Sequence, residues 1–251
     1  MNKPLFLVGG CKGGVGKSLV SLSLVDYLRE RGESVLLVET DTSNPDVWRM
    51  YAEEAGVVAY TLDLDQTEGW IDLANVGDAH PERVIVVNTA ARNHRGVAAH
   101  GATLNAALSE LERRWITLWV INRDRDSLEL LEDYLRTLNG ALTHVVCNTF
   151  FGMPEQFELY HAIWAERIAA SGGQALILPK LAARVSGDLY SKRWSIARAL
   201  RKAPPGAPPG TGLPIGNRAE LSRWRQEVAR MYDAVIPSEL AAGAPDEERT
   251  P

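Results

Sequence analysis

Lys12-Gly13-Gly14-Val15-Gly16-Lys17-Ser18 stands between an apolar stretch, Leu5 to Val8, and a helical pattern, Leu19 to Arg31. A strand that runs into a glycine-rich loop and then into Gly-Lys-Ser at the start of a helix gives the backbone a nest for phosphates. The amide N–H groups of Gly13, Gly14, Val15, Gly16, Lys17 and Ser18 are expected to point inward. Lys17 is expected to reach the β and γ phosphates and the Ser18 hydroxyl to ligate Mg²⁺. The glycines have a steric task, because side chains there would keep the backbone away from the phosphate oxygens. An ordinary glycine turn would account for a lone Gly-x-Gly. It does not account for the strand, the helix and the Lys-Ser pair together, so the loop reads as a nucleotide site.

Outward from the loop, strand-like and helix-like segments alternate, the pattern of an α/β doubly wound, mostly parallel sheet with helices on both faces. Ser34 to Glu39, Arg83 to Val87, Ile116 to Ile121, Thr143 to Cys147 and Gln174 to Leu178 read as further buried strands, with a shorter one at Val57 to Tyr60. Helical spacing is clearest in Leu104, Leu108 and Leu111, in Leu128, Leu131 and Leu135, and over a long amphipathic stretch from Pro154 to Ala170. A further helix is expected around Trp70. In such a sheet ligands sit at the carboxyl ends of the strands, which draws attention to the residues just after each one.

The common phosphate-loop pattern has glycine at position 11, where this chain has Cys11, and here a second lysine, Lys12, precedes the glycine pair. That arrangement resembles the deviant Walker A loop of the ParA/MinD superfamily, which includes the nitrogenase iron protein and arsenical-pump ATPases and in which position 11 varies. The resemblance spans residue 3 to about 200. It implies a P-loop NTPase fold of the SIMIBI type, ATP and Mg²⁺ as ligands, and a homodimer with nucleotide at the interface. In that dimer Lys12 would act on the partner's nucleotide.

After the second strand comes Thr40-Asp41-Thr42-Ser43-Asn44-Pro45-Asp46. A carboxylate here can hold a water on Mg²⁺ or orient the attacking water, and the resemblance implies that Asp41 is needed for hydrolysis. An ordinary Asx turn around Asn44-Pro45 is the competing reading, and Asp46 is a secondary candidate. Asn88 follows the fourth strand where the family usually has a Walker B aspartate. Asparagine keeps an acceptor oxygen but loses the charge, so weaker metal holding and slower hydrolysis are expected. By the same resemblance Asn148 would bond the adenine edge and Pro179 would cover the base, which favours ATP over GTP. A strand-end turn is the plainer reading of Asn148. The segments Asp41 to Tyr51, Asn148 to Gly152 and Leu178 to Leu181 are similar to those of ATPase-like proteins from plasmid conjugative-transfer and mobilisation regions.

The net charge of −5 argues against a protein that coats nucleic acid over its whole surface. With no apolar run of membrane-spanning length and no signal peptide, a cytoplasmic location is expected. The cysteines and the scattered histidines show neither disulfide-framework nor metal-ligand spacing; His80, His94, His100, His144 and His161 read as surface or core filling. The division is a P-loop ATPase domain over 1–202, a connector over 203–216 rich in Pro and Gly, an amphipathic helix over 217–236 and a disordered acidic tail over 237–251. Leu221, Trp224, Val228, Met231, Tyr232 and Val235 form one apolar stripe on that helix. Packing on the parent domain is the default for it, then a protein partner, then a membrane surface. The basic cluster Lys192, Arg193, Arg198, Arg201 and Lys202 reads either as a solvated face or as a nonspecific DNA contact.

Together these readings describe an ATP-dependent dimeric switch with slow hydrolysis, serving DNA transfer, partition or positioning of a mobile element. Two alternatives remain: a nucleotide-sensing module with little hydrolysis, which Asn88 makes credible, and a carboxylate-activating, amide-forming enzyme on the same scaffold.

Overall fold

A computed structural model describes residues 3–10, 13–90, 109–137, 141–208 and 210–236, with 96, 99–100, 106–107 and 240. Lys12, Cys11, His94, most of the Leu104 to Leu111 pattern and nearly all of the acidic tail lie outside the described residues.

Seven strands form one sheet: β1 (Leu5–Gly9), β2 (Val35–Glu39), β3 (Val57–Thr61), β4 (Val84–Asn88), β5 (Trp115–Ile121), β6 (Leu142–Asn148) and β7 (Ala175–Leu178). Every strand pair is parallel, in the spatial order β3-β2-β4-β1-β5-β6-β7. Parallel strands covered on both faces read as unbroken apolar runs, which is why Leu-Phe-Leu-Val and Val-Leu-Leu-Val are strands without polar alternation. Alternate side chains divide between two cores. Phe6, Val8, Leu37, Val86 and Val120 face α1 (Lys17–Glu30) and α2 (Asp46–Tyr51). Leu5, Leu7, Val38, Val87 and Trp119 face α3 (Thr67–Asp78) and α4 (Asp126–Thr137), together with α5 (Glu158–Ile163) and α6 (Ala165–Ala170). The chain moves outward from β1 to one edge, returns at β4 and continues at β5 on the other side of β1. That reversal leaves a crevice at the carboxyl ends of β1 and β4.

Two expected boundaries change. The stretch from Pro154 to Ala170 is not one helix: a 3-10 turn over Pro154–Gln156 ends at Phe157, whose backbone (φ −84°, ψ 49°) leaves the helical region, and at Trp164 (φ −112°, ψ −28°) the helix is divided in two. Both breaks occur at aromatic residues buried in the core under β6, so burial of the rings overrides the helical spacing. The C-terminal helix also starts earlier than expected, inside the supposed connector. After α7 (Ala183–Lys192) and α8 (Ile196–Leu200), α9 runs over Ile215–Asp233. Its stripe is spent inside the protein: Leu221, Trp224, Val228 and Tyr232 are buried in the core that contains α1, leaving no apolar face of that stripe for a partner or a membrane. Burying each such large side chain stabilises by roughly 1.5–3 kcal/mol. Among the described residues no helix is long and apolar enough to cross a membrane.

His144 is core filling of an unusual kind. Its Nδ1 accepts the Gln174 N–H at 3.1 Å, while its buried Nε2 has no partner among the described residues. Burial lowers its pKa from 6.5 to about 4. Between those values the unfolded chain binds a proton that the folded chain does not, so stability falls as pH drops through the window. His144→Asn should flatten the pH dependence of the unfolding free energy, measured by urea denaturation between pH 6.5 and 4, by roughly 2–3 kcal/mol relative to wild type. An unchanged slope would contradict this account.

Candidate functional site

The phosphate loop leaves β1 at Gly9 and enters α1 at Lys17. Gly14 (φ 78°) and Gly16 (φ 107°) are left-handed, a conformation that an L side chain adopts only under strain. At Gly16 space is also short, because a Cβ would lie 2.4 Å from Asn148 Nδ2. Gly16 is the N-cap of α1 and carries no side chain to bond the first amides, and no acidic residue occupies the first turn. The helix therefore directs the positive end of its dipole toward the crevice without a side-chain cap.

Gly13, Gly14, Gly16, Lys17, Ser18, Asp41 and Asn88 line one cavity with Leu19, Thr89, Ala90 and Tyr190. The Lys17 side chain is almost entirely buried and Ser18 half-buried. Asp41 opens the β2–α2 loop. Its Oδ1 accepts the Asn44 N–H at 3.1 Å, three residues on, and Asp41 also lines the cavity. Asp46 instead bonds Asn44 and pairs with Arg49 at the start of α2, away from the cavity lining.

Asn88 is buried and fully engaged on both sides of its amide. Its Oδ1 accepts the Ser21 hydroxyl at 2.8 Å, and its Nδ2 donates to both carboxylate oxygens of Glu39 at 2.9 and 3.0 Å. Glu39 ends β2, is fully buried, and also accepts the Asp41 N–H at 3.0 Å. Burial pushes its pKa up to about 7, against the hydrogen bonds from Asp41 and Asn88 that favour the carboxylate. The charge absent at position 88 thus stands one residue deeper, at Glu39. The Thr40 hydroxyl ties the same layer by donating to the Asn88 carbonyl at 3.1 Å and accepting the Ala90 N–H at 2.9 Å.

Asn148 and Pro179 are outside the cavity lining. Asn148 Nδ2 donates to the Val15 carbonyl at 2.8 Å and its Oδ1 accepts the Phe150 N–H at 3.0 Å, so this side chain braces the phosphate loop from the β6 side. The Pro179 carbonyl accepts the Trp224 indole N–H at 2.7 Å, which ties the loop after β7 to α9. In the basic cluster, Lys192 and Arg198 lie over the Trp194 ring, and Arg201 pairs with Glu54 at 3.9 Å. Glu39 and Tyr190 did not emerge from the sequence. A carboxylate at the end of the apolar run Val-Leu-Leu-Val-Glu was a usable signal for the first, and nothing marked the second.

The family model described as "CobQ/CobB/MinD/ParA nucleotide binding domain" matches residues 6–154. The chain is 52% identical to "Protein MobD" of Acidithiobacillus ferrooxidans over 237 residues, covering 94% of this chain and 99% of that one. Among solved structures it is similar to the MinD cell division protein of Aquifex aeolicus (TM-score 0.54, 15% identity, 92% of this chain and 98% of that one). It is also similar to the cell division protein FtsY of Thermotoga maritima (TM-score 0.51, 15% identity, 70% of this chain and 61% of that one). At these identities the structural likenesses establish the fold.

Asn88→Asp would set a second carboxylate against buried Glu39. Without Mg²⁺ at pH 8 it should cost about 2 kcal/mol or more in urea unfolding, with the loss shrinking toward pH 5 as the pair shares a proton. Adding Glu39→Gln to that variant should restore most of the stability. Additive losses in the double variant would rule out the pairing.

Proposed function

The chain belongs to the CobQ/CobB/MinD/ParA family of nucleotide-binding domains, in a mobilisation-protein branch, and on that premise we propose that it is an ATP-dependent dimeric switch serving the transfer, partition or positioning of a mobile DNA element. The observation that carries this reading is the convergence of the α1 N-terminus, Lys17, Ser18 and Asp41 on one cavity.

In the proposed mechanism the amides of residues 13–18 and the Lys17 ammonium hold the β and γ phosphates, where preorganised donors stabilise charge on the transferred group. Ser18 would ligate Mg²⁺, with Asp41 and Asn88 acting on its waters. The donor set fits a hard cation that prefers oxygen ligands: a hydroxyl, a carboxylate and an amide oxygen border the same space. Mg²⁺ would neutralise charge on the phosphates. Asp41 would orient the attacking water, Lys12 would act on the nucleotide of the opposing subunit, and hydrolysis would reopen the dimer. Asn148 and Pro179 would border the base.

A second reading, a nucleotide sensor with little turnover, is favoured by Asn88. Its oxygen already accepts Ser21 and its amide hydrogens face Glu39, so less acceptor capacity remains for metal-bound water. Phosphate release measured with Mg-ATP separates the two readings.

Lys17→Ala should abolish nucleotide binding in calorimetry. Lys12→Ala should still bind, yet fail to double in mass by size-exclusion chromatography with light scattering in a nonhydrolysable ATP analogue. Wild-type dimerisation of the Lys12 variant would remove the trans role. For the DNA part of the reading, Arg198→Glu with Arg201→Glu should abolish retention on duplex DNA at low salt while leaving ATP affinity unchanged. Equal retention would remove the basic cluster from the proposal.

A further inference from the structure

Tyr190 lies in the last turn of α7 and lines the same cavity as Lys17, Ser18, Asp41 and Asn88. Its ring packs against the core that contains α1 and α9, so the aromatic part is anchored. Its phenol is within electrostatic reach of the carboxylates of Glu39, at the end of β2, and Asp46, at the start of α2, which border the β2–α2 loop that carries Asp41. Asp41 and Ser18 share the cavity lining with Tyr190, and Asn148 and Pro179 are not part of it. No hydrogen bond from the Tyr190 hydroxyl occurs among the described residues. Burial and the two neighbouring carboxylates both favour the neutral phenol, so the group remains an O–H donor.

The helix that carries it is fixed. Leu189 is fully buried, and Asp188 accepts the Asn217 amide of α9 at 2.7 Å. A rigid donor that lines a phosphate cavity together with Ser18 and Asp41 suits an oxyanion that a diphosphate lacks. Within a site otherwise made of backbone amides and a lysine, it adds a contact that distinguishes the two nucleotides.

We infer that Tyr190 is a specificity-determining residue of the nucleotide site: its hydroxyl donates a hydrogen bond to the terminal phosphate of a bound nucleoside triphosphate and finds no such partner in the diphosphate. The inference rests on the nucleotide reading of the cavity. It also gives that reading a route outward, because α7 joins the terminal phosphate to α9 and to the basic corner at Lys192 and Arg193.

The test is calorimetric titration of the full chain, wild type and Tyr190→Phe, with Mg-ADP and with the magnesium complex of a nonhydrolysable ATP analogue. Removing a hydrogen bond to a charged group should weaken the analogue about tenfold or more, with ADP affinity held within about twofold. Retained ADP binding also shows that the variant is folded. Equal weakening of both nucleotides would indicate a packing defect and overturn the role, as would unchanged affinity for both. If the wild-type chain binds neither nucleotide, the reading of the cavity itself fails; if it binds both and the variant is indistinguishable, only the role of Tyr190 fails.

Discussion

The structure depends on an α-helix that begins without a cap. Four N–H groups at the start of any helix need partners, and at α1 the protein supplies none from the cap residue, because Gly16 has no side chain. With no side-chain bond from its own cap residue, the loop is held in form by the groups around it. Asn148 grips the Val15 carbonyl from one side, and the Thr89 hydroxyl bonds the Val8 carbonyl at the end of β1. Gly16 leaves the space that Asn148 needs. The sheet order then matters mechanically: β1 is flanked by β4 and β5, so the loop springs from the middle of the sheet and its base cannot shift without moving two neighbours.

The far side of α1 is held by the C-terminal helix. The Tyr232 hydroxyl donates to the Val20 carbonyl at 3.1 Å and meets the Ser23 hydroxyl at 3.0 Å, one turn beyond the phosphate loop. Arg225 grips Asp26 through two bonds, at 2.6 and 2.9 Å, and reaches Glu30 at 3.0 Å. Burial raises the pKa of Asp26 and the guanidinium opposes that rise, so the pair must remain intact for the charge to be tolerated there. Tyr27 and Arg31 both bond Asp233 at the end of α9. These contacts follow the length of α1, which makes α9 a structural wall of the nucleotide domain rather than an appendage to it.

The strands were legible because burial on both faces leaves no polar alternation to confuse them, and Ser34 to Glu39 differs from the observed β2 by one residue. The phosphate loop was legible because its glycines, lysine and serine are adjacent in the chain. The remainder of the site is assembled across distance. Nothing near Tyr190 announces that α7 will bring it to the cavity, and nothing near Asn148 announces that its amide will bond the Val15 carbonyl. The break at Trp164 was hidden for a different reason: helical spacing records which residues are apolar, not whether rings as large as Phe157 and Trp164 can be buried without turning the backbone.

Glu39 and Asn88 show why position 88 cannot be judged by itself. A carboxylate at both places would put two like charges about 3 Å apart with no water between them, and one would have to be protonated. An amide at 88 resolves this by donating both to Glu39 and leaving its oxygen for Ser21, so every polar atom in the trio has a partner. The acidic group that remains, Glu39, whose pKa burial pushes up to about 7, is thus set back behind a neutral residue. A cation at Ser18 would still be attracted by Glu39, at longer range and in competition with the hydrogen bonds that already satisfy that carboxylate. Because the field of a buried charge decays slowly in low dielectric while direct hydrogen bonding to water does not extend past the neighbouring group, such an arrangement would preserve attraction for a cation more than it would preserve alignment of that cation's water.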